Sequence, residues 1–202
     1  MGLLPLVFST GWASGVNAYA VVLTMGLASR LGLLHGAPAQ LQHTPVLVAA
    51  GVMFAIEFVV DKIPYLDSAW DAVHTAIRPL LAAYVSSLLG HDSGGLNSAL
   101  AGLLGGGTAL ASHGVKASLR LAVNTSPEPF SNILLSLAED FTAVLVVVLA
   151  LAHPWIGATV CAGLLLAGGA AVIAALRLIR RGYRKLRARR VAPPPPATGR
   201  PA

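Results

Sequence analysis

The sequence contains few charged residues and almost no cysteine. Only 11% of the 202 residues are charged, whereas a soluble domain carries about one quarter. Cys161 is the only cysteine, which excludes an internal disulfide and a cysteine-based zinc site. Hydrophobic residues make up 55% of the chain. These proportions predict one integral membrane domain over residues 1–180 and argue against a soluble protein.

The basic residues are concentrated near the C-terminus. Nine of the fourteen Lys and Arg residues follow Leu176, and the rest of the chain has five basic and eight acidic residues. A basic segment beside a membrane span is typical of the cytoplasmic side, so we expect residues 181–202 to form a cytoplasmic tail at the bacterial inner membrane. Its Pro-rich end, from Pro193, should be disordered. The expected contacts with anionic lipid headgroups are Arg180, Arg181, Arg184 and Lys185.

Six long apolar runs predict six helices. They cover residues 3–32, 45–61, 67–90, 96–123, 129–152 and 155–179. A span requires about twenty residues, so we predict an all-α membrane helix bundle with six transmembrane segments and both termini in the cytoplasm. Gly11, Ser14 and Gly15 mark an expected break in the first segment, and Asn17 is expected to bridge helices. The run 105–107, three glycines, permits close helix approach, which we favour, or local unwinding.

A weak internal repeat relates the two halves of the chain. Residues 15–18, Gly-Val-Asn-Ala, resemble residues 114–117, Gly-Val-Lys-Ala, and each stretch precedes a segment with an acidic pair. Three spans per half would give two inverted three-helix repeats with broken helices, an arrangement that places transport sites near the membrane midplane. Three identical residues of common types in a stretch of four are equally consistent with chance.

Eleven polar or charged residues lie within or beside the apolar runs. A lone charge at the centre of a membrane helix costs about 2.5–3.5 kcal/mol, so these groups must pair with one another or border a hydrated cavity. We therefore predict a polar intramembrane site. Its residues are Asn17, Glu57, Asp61, Asp67, Asp71, His74, Arg78, His113, Lys116, Glu139 and Asp140.

The third segment carries a continuous polar stripe. Asp67, Asp71, His74 and Arg78 follow one another at intervals of four, three and four residues, so a helix places them on one face. Such a stripe suits a proton or ion relay, because histidine titrates near neutral pH. A buried ladder of ion pairs that only fixes the position of the helix is the alternative.

Glu57 and Asp61 form a further acidic pair on one helix face. Two adjacent carboxylates repel each other unless they share a cation or a proton. Lys62 and Arg78 are the expected partners within the protein. A hard cation would suit these oxygen ligands, but no spacing specifies a metal site, and we predict neither a metal nor another cofactor.

His113, Lys116 and Arg120 share one face of the fourth segment. We expect Arg120 to extend toward the cytoplasmic interface. Lys116 is expected to pair with Glu139 or Asp140, because burying both signs together costs less than burying one alone. Glu139 lies midway along the fifth segment and is therefore the hardest of these residues to explain as interfacial.

Three stretches of the sequence carry a specific resemblance. They read Gly-Trp-Ala-Ser-Gly-Val-Asn-Ala-Tyr at 11–19, Glu-Phe-Val-Val-Asp-Lys-Ile-Pro-Tyr-Leu-Asp-Ser-Ala-Trp-Asp at 57–71 and Asn-Thr-Ser-Pro-Glu-Pro-Phe-Ser-Asn at 124–132. Together they resemble the uncharacterised bacterial integral-membrane family known as domain of unknown function 4126, over about residues 9–153. The resemblance implies one membrane domain and brings no activity with it.

Three functions are compatible with these features. We favour a small transporter or channel that moves protons, cations or a small solute through the polar site. The second is a non-catalytic lipid-handling or scaffold role that uses the basic tail.

The third, an intramembrane enzyme, would use Glu139 or Asp140 as base and His74 or His113 as metal ligand or proton shuttle. No HExxH or comparable motif occurs, so we predict no enzymatic activity. Six spans are few for transport, so we expect a homo-oligomer that contacts membrane lipids. No aromatic or motif context supports binding of nucleic acid.

Overall fold

The computed structural model describes residues 2–91, 95–124 and 129–191, with the backbone alone at 95, 96, 129, 183 and 185–191. It is a bundle of six α-helices, and the described part contains no strand, as predicted. A short 3₁₀ helix, Ala39–Gln42, lies in the first loop. The helices are α1 Leu3–Arg30, α2 Thr44–Val60, α3 Leu66–Gly90, α4 Gly95–Val123, α5 Pro129–Ala152 and α6 Pro154–Val191.

The predicted bounds are correct to within about two residues except at the end of α6. That helix was expected to end at residue 179 but continues to Val191. Arg, Lys, Leu and Ala are good helix formers, and the first proline of the tail is Pro193, so nothing in the basic segment stops the helix. Residues 192–202, including the stretch predicted to be disordered, lie outside the described residues.

Among the described residues, four helices are long and apolar enough to cross a membrane, as expected of a helical membrane protein. These spans are Leu3–Arg30, Leu66–Gly90, Phe130–Ala152 and Pro154–Gly182. The 17 residues of α2 reach only about 25 Å at 1.5 Å per residue, less than the ~30 Å hydrocarbon core. The 29 residues of α4 are long enough, but this helix carries three cationic or imidazole side chains and several glycines.

The helix α1 lies in the centre of the bundle, where small residues allow close contact with α4. A Cβ atom added at Gly11 would lie 2.6 Å from the carbonyl oxygen of Gly105, closer than packed atoms can approach. Gly105 in turn faces Ser86 of α3. Gly105 and Gly106 of α4 therefore serve close packing, as we favoured for this run, whereas nothing lies within 4 Å of a Cβ added at Gly107. The helix α4 itself is continuous.

The predicted break in α1 exists but lies at Asn17, where φ is −151° and ψ is 98°. The break was expected at Gly11, Ser14 or Gly15, so it lies two or more residues further along the chain than predicted. The Asn17 side-chain oxygen accepts a hydrogen bond from the backbone N–H of Ala20 at 2.9 Å. This is the contact of an N-cap, so Asn17 begins the second half of α1. Gly11 and Gly15 instead pack against α4.

The link between α2 and α3 is short, and its conformation is unusual. Tyr65, directly before α3, has a φ of +68°, a left-handed conformation that is uncommon for a residue with a Cβ. The link reverses the chain, and Asp61 at its beginning and Asp67 at its end are both fully buried. The acidic groups of α2 and α3 are thereby brought to the same end of the bundle.

Candidate functional site: a buried ionic cluster at the break in α1

All eleven predicted polar residues lie in one region of the bundle. Ten of them are classed as buried, and Glu139 keeps only 11% of its side chain exposed. They come from five helices and from the α2–α3 link. Residues as distant in sequence as Asn17 and Asp140 therefore lie in a single cluster. The grouping of acidic side chains from several helices was predicted from the sequence, and their partners are given by the structure.

Three carboxylates and three cations alternate in a closed ring of ion pairs, which we call the ionic ring. The Glu57 carboxylate lies 2.8 Å from Arg78 and 3.6 Å from the Lys116 ammonium. Lys116 lies 2.9 Å from Asp61. Each charge in this part of the ring therefore contacts two of the opposite sign, which offsets the cost of burial.

Arg120 and Asp71 complete the ionic ring. Arg120 lies 2.9 Å from the Asp61 carboxylate and 4.0 Å from that of Asp71, and Asp71 lies 3.1 Å from Arg78. The expectation that Arg120 extends to the membrane surface is wrong, because its side chain is fully buried. Neutralising several acids outweighs the preference of a long basic side chain for the interface.

Two further carboxylates are attached to the ionic ring. Glu139 pairs with Arg120 and lies 3.5 Å from Lys116, and Asp67 lies 3.5 Å from Arg120. Five carboxylates thus surround three cations, an excess of two negative charges when all are ionised. Such an excess favours an additional proton or cation.

The predicted partners were partly correct. Arg78 pairs with Glu57 as expected, and Lys116 approaches Glu139, but its shortest ion pair is with Asp61. Lys62 makes no ion pair among the described residues. Its ammonium donates to the backbone carbonyl of Phe58 at 2.7 Å and lies 3.1 Å from the centre of the Phe58 aromatic ring.

The break in α1 is bound directly to this cluster. Lys116 donates to the carbonyl oxygen of Val16 at 2.9 Å, and Arg78 donates to that of Gly15 at 3.3 Å. These carbonyls end the first half of α1, where the helix dipole is negative, and a break at bilayer depth requires such partners. The Asn17 amide donates to the Asp140 carboxylate at 2.9 Å, so Asn17 bridges α1 and α5 as predicted.

The two similar stretches of the proposed repeat make reciprocal contacts. Asn17 in the first stretch contacts Asp140 in the second half of the chain, and Lys116 in the second stretch contacts Asp61 in the first half. Only the first stretch contains a break, because α4 is continuous. The reciprocal contacts are those expected of a two-fold relation, although the backbone does not repeat.

His113 is held in a single neutral tautomer by its neighbours. Its Nδ1 atom lies 2.7 Å from an Arg78 nitrogen, and because arginine can only donate, Nδ1 must accept. Its Nε2 atom lies 3.0 Å from the carbonyl oxygen of Asp71 and 3.1 Å from the Thr75 hydroxyl. The proton therefore resides on Nε2, and His113 orients Arg78.

His74 keeps one nitrogen that can exchange a proton. Its Nδ1 atom donates to the Trp70 carbonyl at 2.9 Å, and its ring stacks on the Trp70 indole at 4.4 Å between centres. Its Nε2 atom lies 3.0 Å from the hydroxyl of Tyr19. A neutral His74 accepts from this hydroxyl and a protonated one donates to it, so the pair functions with either charge.

Sequence reasoning missed several polar side chains of the cluster. Tyr19 contacts His74, and the Asn124 amide donates to Asp67 at 2.9 Å. The Asn132 amide donates to the carbonyl oxygen of Asp61 at 3.3 Å. All three missed residues lie in the stretches 11–19 and 124–132 that carry the family resemblance, so those stretches were the available signal.

Two cavities border the cluster on opposite faces of α4. The first, which we call the lateral cavity, measures about 260 Å³ and lies between α1, α4, α5 and α6, with Lys116 and Glu139 among its lining residues. The second, the α3–α4 cavity, measures about 270 Å³ and reaches Asp71 and Thr75. Residues 112, 115, 116 and 119 of α4 border the first, and 117 and 121 the second. At about 100° per residue these sets face nearly opposite directions.

Several carboxylate oxygens in the cluster retain acceptor capacity. One oxygen each of Glu57, Asp61 and Asp140 is buried and makes no hydrogen bond within the described part of the chain. Such atoms are costly in a dry interior. Among the described residues, no three His, Cys, Asp or Glu side chains are arranged to hold a metal ion.

The basic residues predicted to contact lipid headgroups are separate from the cluster. Arg180, Arg181 and Arg184 are exposed on the extended end of α6 and, together with Arg177, line a shallow depression of about 210 Å³. The side chain of Lys185 lies outside the described residues.

Comparison with known proteins agrees with the resemblance in the sequence. The family described as a domain of unknown function, DUF4126, matches residues 4–174, which run from α1 into α6 and contain the whole ionic cluster. No curated protein and no solved structure gives a significant match. The chain belongs to the DUF4126 family.

Proposed function

We propose that this protein is a small transporter or channel that moves protons, cations or a small solute through the ionic cluster. The observation that carries the proposal is the break in α1 beside buried carboxylates in excess over cations. Broken helices at membrane depth expose backbone groups, and transporters use such breaks to bind ions and charged substrates. A bundle that required only stability would gain more from apolar packing than from buried charge.

The two cavities supply the access that transport requires. The α3–α4 cavity reaches Asp71, and the lateral cavity reaches Glu139. Asp71 and Glu139 both contact Arg120. Arg120 therefore links the carboxylate reached from one face of α4 to the carboxylate reached from the other face, and a proton or cation would pass between them.

The membrane and assembly are part of the same proposal. The basic end of α6 on the cytoplasmic side of a bacterial inner membrane would follow the positive-inside rule. With six crossings the N-terminus is also cytoplasmic. A single bundle of this size is small for transport, so we propose a homo-oligomer with no catalytic activity.

The test is flux through purified protein in liposomes. We expect wild-type protein to conduct protons, alkali cations or organic cations above the rate of empty liposomes, and Glu139→Gln to lose that flux. Arg30→Gln is the matched control, because Arg30 is exposed, lies outside the cluster and donates a hydrogen bond to Thr44. Equal rates for wild type and Glu139→Gln would reject the proposal.

A second candidate function is supported by the extended helix α6. Its exposed arginines form a cationic surface at the C-terminal end of the membrane span, which suits anionic lipid headgroups. We expect the triple variant Arg180→Gln, Arg181→Gln, Arg184→Gln to retain less phosphatidylglycerol than wild type after purification. Unchanged lipid retention, measured by mass spectrometry, would remove this candidate.

A further inference from the structure

The lateral cavity is lined mostly by apolar side chains. Trp12, Leu119, Leu135, Leu164 and Leu165 form much of its lining, and Glu139 and Lys116 are its charged lining residues. Its volume of about 260 Å³ is just below the roughly 300–1,000 Å³ of typical small-molecule sites. The shape and lining suit a small molecule with an apolar body and one polar group.

Glu139 is the carboxylate of the cluster that can change its partner most easily. Both of its cations have other strong contacts, since Lys116 and Arg120 each lie 2.9 Å from Asp61. Lys116 also donates to the Val16 carbonyl, and Arg120 donates to the Asp61 carbonyl. Loss of the contact with Glu139 would therefore leave neither cation unpaired.

The charge of the cluster selects the sign of the ligand. Lys116 and Glu139, which line the cavity, belong to a cluster in which five carboxylates surround three cations, an excess of two negative charges when all are ionised. An incoming cation reduces this imbalance, whereas an incoming anion increases it. Glu139 is also the carboxylate with the largest exposed side-chain fraction, 11%, among those in the ion pairs.

We propose that the lateral cavity binds a small amphiphilic organic cation, with its apolar body between α4, α5 and α6 and its charge on Glu139. The inference rests on the proposed function, because it names the substrate class of the same site. Among the solutes considered for transport, it selects organic cations that enter from the lipid phase. The cavity lies beside α6, whose membrane-spanning part is mostly exposed in the bundle, so we expect such a molecule to enter from the membrane.

Two probes of the same shape separate charge recognition from apolar binding. Benzyltrimethylammonium and neopentylbenzene differ only in that a charged nitrogen replaces a quaternary carbon. We expect wild-type protein in detergent to bind the cation about tenfold more tightly than the neutral probe, measured by equilibrium dialysis. Equal affinities, or tighter binding of benzylsulfonate than of the cation, would overturn the proposal, and a cavity filled only by lipid would give one of these results or no binding.

Substitutions locate the site. Glu139→Gln should lower the affinity for the cation about tenfold and leave that for the neutral probe unchanged. Ala167→Leu, which fills the cavity, should weaken both probes, and Ala170→Leu is its matched control because Ala170 is exposed and does not line the cavity. Unaltered affinities in both Glu139→Gln and Ala167→Leu would place the binding elsewhere and refute the proposal.

Binding and flux fail independently. Selective binding of the cation without flux in liposomes would sustain the ligand class and reject transport. Flux of protons or alkali cations that depends on Glu139, with equal binding of the two probes, would sustain transport and reject the ligand class.

Discussion

The two halves of the α3–α4 hairpin bring opposite kinds of residue to their shared interface. Residues 67–78 of α3 and 112–124 of α4 contribute acids, cations and imidazoles, whereas residues 82–90 and 101–109 contribute Gly, Ala, Ser and Val. The first half holds together through specific charge pairs, the second through close backbone approach. The same two helices therefore provide a rigid packed end and a charged end, and the charged end is the one beside the break in α1.

The difference indicates which kind of substitution destabilises each half. Charge pairs in a membrane stabilise only while every member has a partner, whereas glycine contacts depend on shape alone. We expect the charged half to respond to loss of a charge and the packed half to respond to added volume.

The largest expected effect is the loss of Arg120, which contacts four carboxylates. Arg120→Met removes the one cation that pairs with Asp67 among the described residues and one of the two that pair with each of Asp61, Asp71 and Glu139. It should destabilise the protein by about 3–5 kcal/mol. The measurement is thermal unfolding in detergent. The exposed Arg177→Met is the control and should be nearly neutral; similar losses for both variants would show that Arg120 has no special role.

The packed half is tested by Gly11→Ala. The added Cβ would lie 2.6 Å from the Gly105 carbonyl oxygen, so α1 and α4 must separate, at a cost of about 1–3 kcal/mol. Gly107→Ala is the matched control, because nothing lies within 4 Å of its added Cβ, and removing a helical glycine should stabilise by about 0.5–1 kcal/mol. Opposite signs for the two variants are predicted, and equal signs would contradict the packing described.

The break in α1, which lies beside the charged half, is tested at Asn17. Asn17→Ala removes the cap on Ala20 and the contact with Asp140, and should cost about 0.5–2 kcal/mol. Asn17→Ser keeps a capping oxygen, but its shorter side chain does not reach Asp140. If the stability of Asn17→Ser lies between those of wild type and Asn17→Ala, each contact contributes part of the effect. An Asn17→Ala variant as stable as wild type would show that neither contact stabilises the protein.

The smallest effect is expected at the edge of the charged half. Tyr19→Phe removes the hydroxyl beside His74 Nε2 and should cost about 0.5–1.5 kcal/mol. Unfolding curves measure the cost, and proton flux in liposomes measures any role in proton exchange. Phe8→Leu, a change at a partly buried site of the apolar core, gives the scale for simple loss of packing.

The fold and the membership of the cluster were accessible from the sequence because they follow from periodicity and from the cost of charge in a membrane. Asp67, Asp71, His74 and Arg78 face inward because one helical stripe must be buried. The partner of each charge was not accessible, because it depends on distances between helices. Arg120 shows this most clearly, since a basic side chain near a helix end can either extend to the membrane interface or turn inward to pair with buried acids.

The break in α1 could be predicted in kind and not in position. Glycine was the expected site, because it tolerates unusual backbone angles. Asn17 breaks the helix instead, since its side chain satisfies one backbone N–H itself and the Lys116 and Arg78 side chains satisfy the freed carbonyls. Those two cations are distant in sequence, so no local pattern reveals them.

The central claim is that the charged half is hydrated and reachable from water, whereas the packed half and the lipid-facing surface are not. Its most direct test is labelling by a membrane-impermeant cationic methanethiosulfonate of single-cysteine variants in the Cys161→Ala background. Thr75→Cys borders the α3–α4 cavity beside Asp71, whereas Leu80→Cys, little more than one turn further along α3, does not line it. Both positions are exposed at the surface of the bundle, so a difference in labelling would report water at the cavity rather than burial of the side chain. We predict rapid labelling of Thr75→Cys and none of Leu80→Cys, whereas equal lack of reaction in both would show a sealed, purely structural cluster and contradict the account.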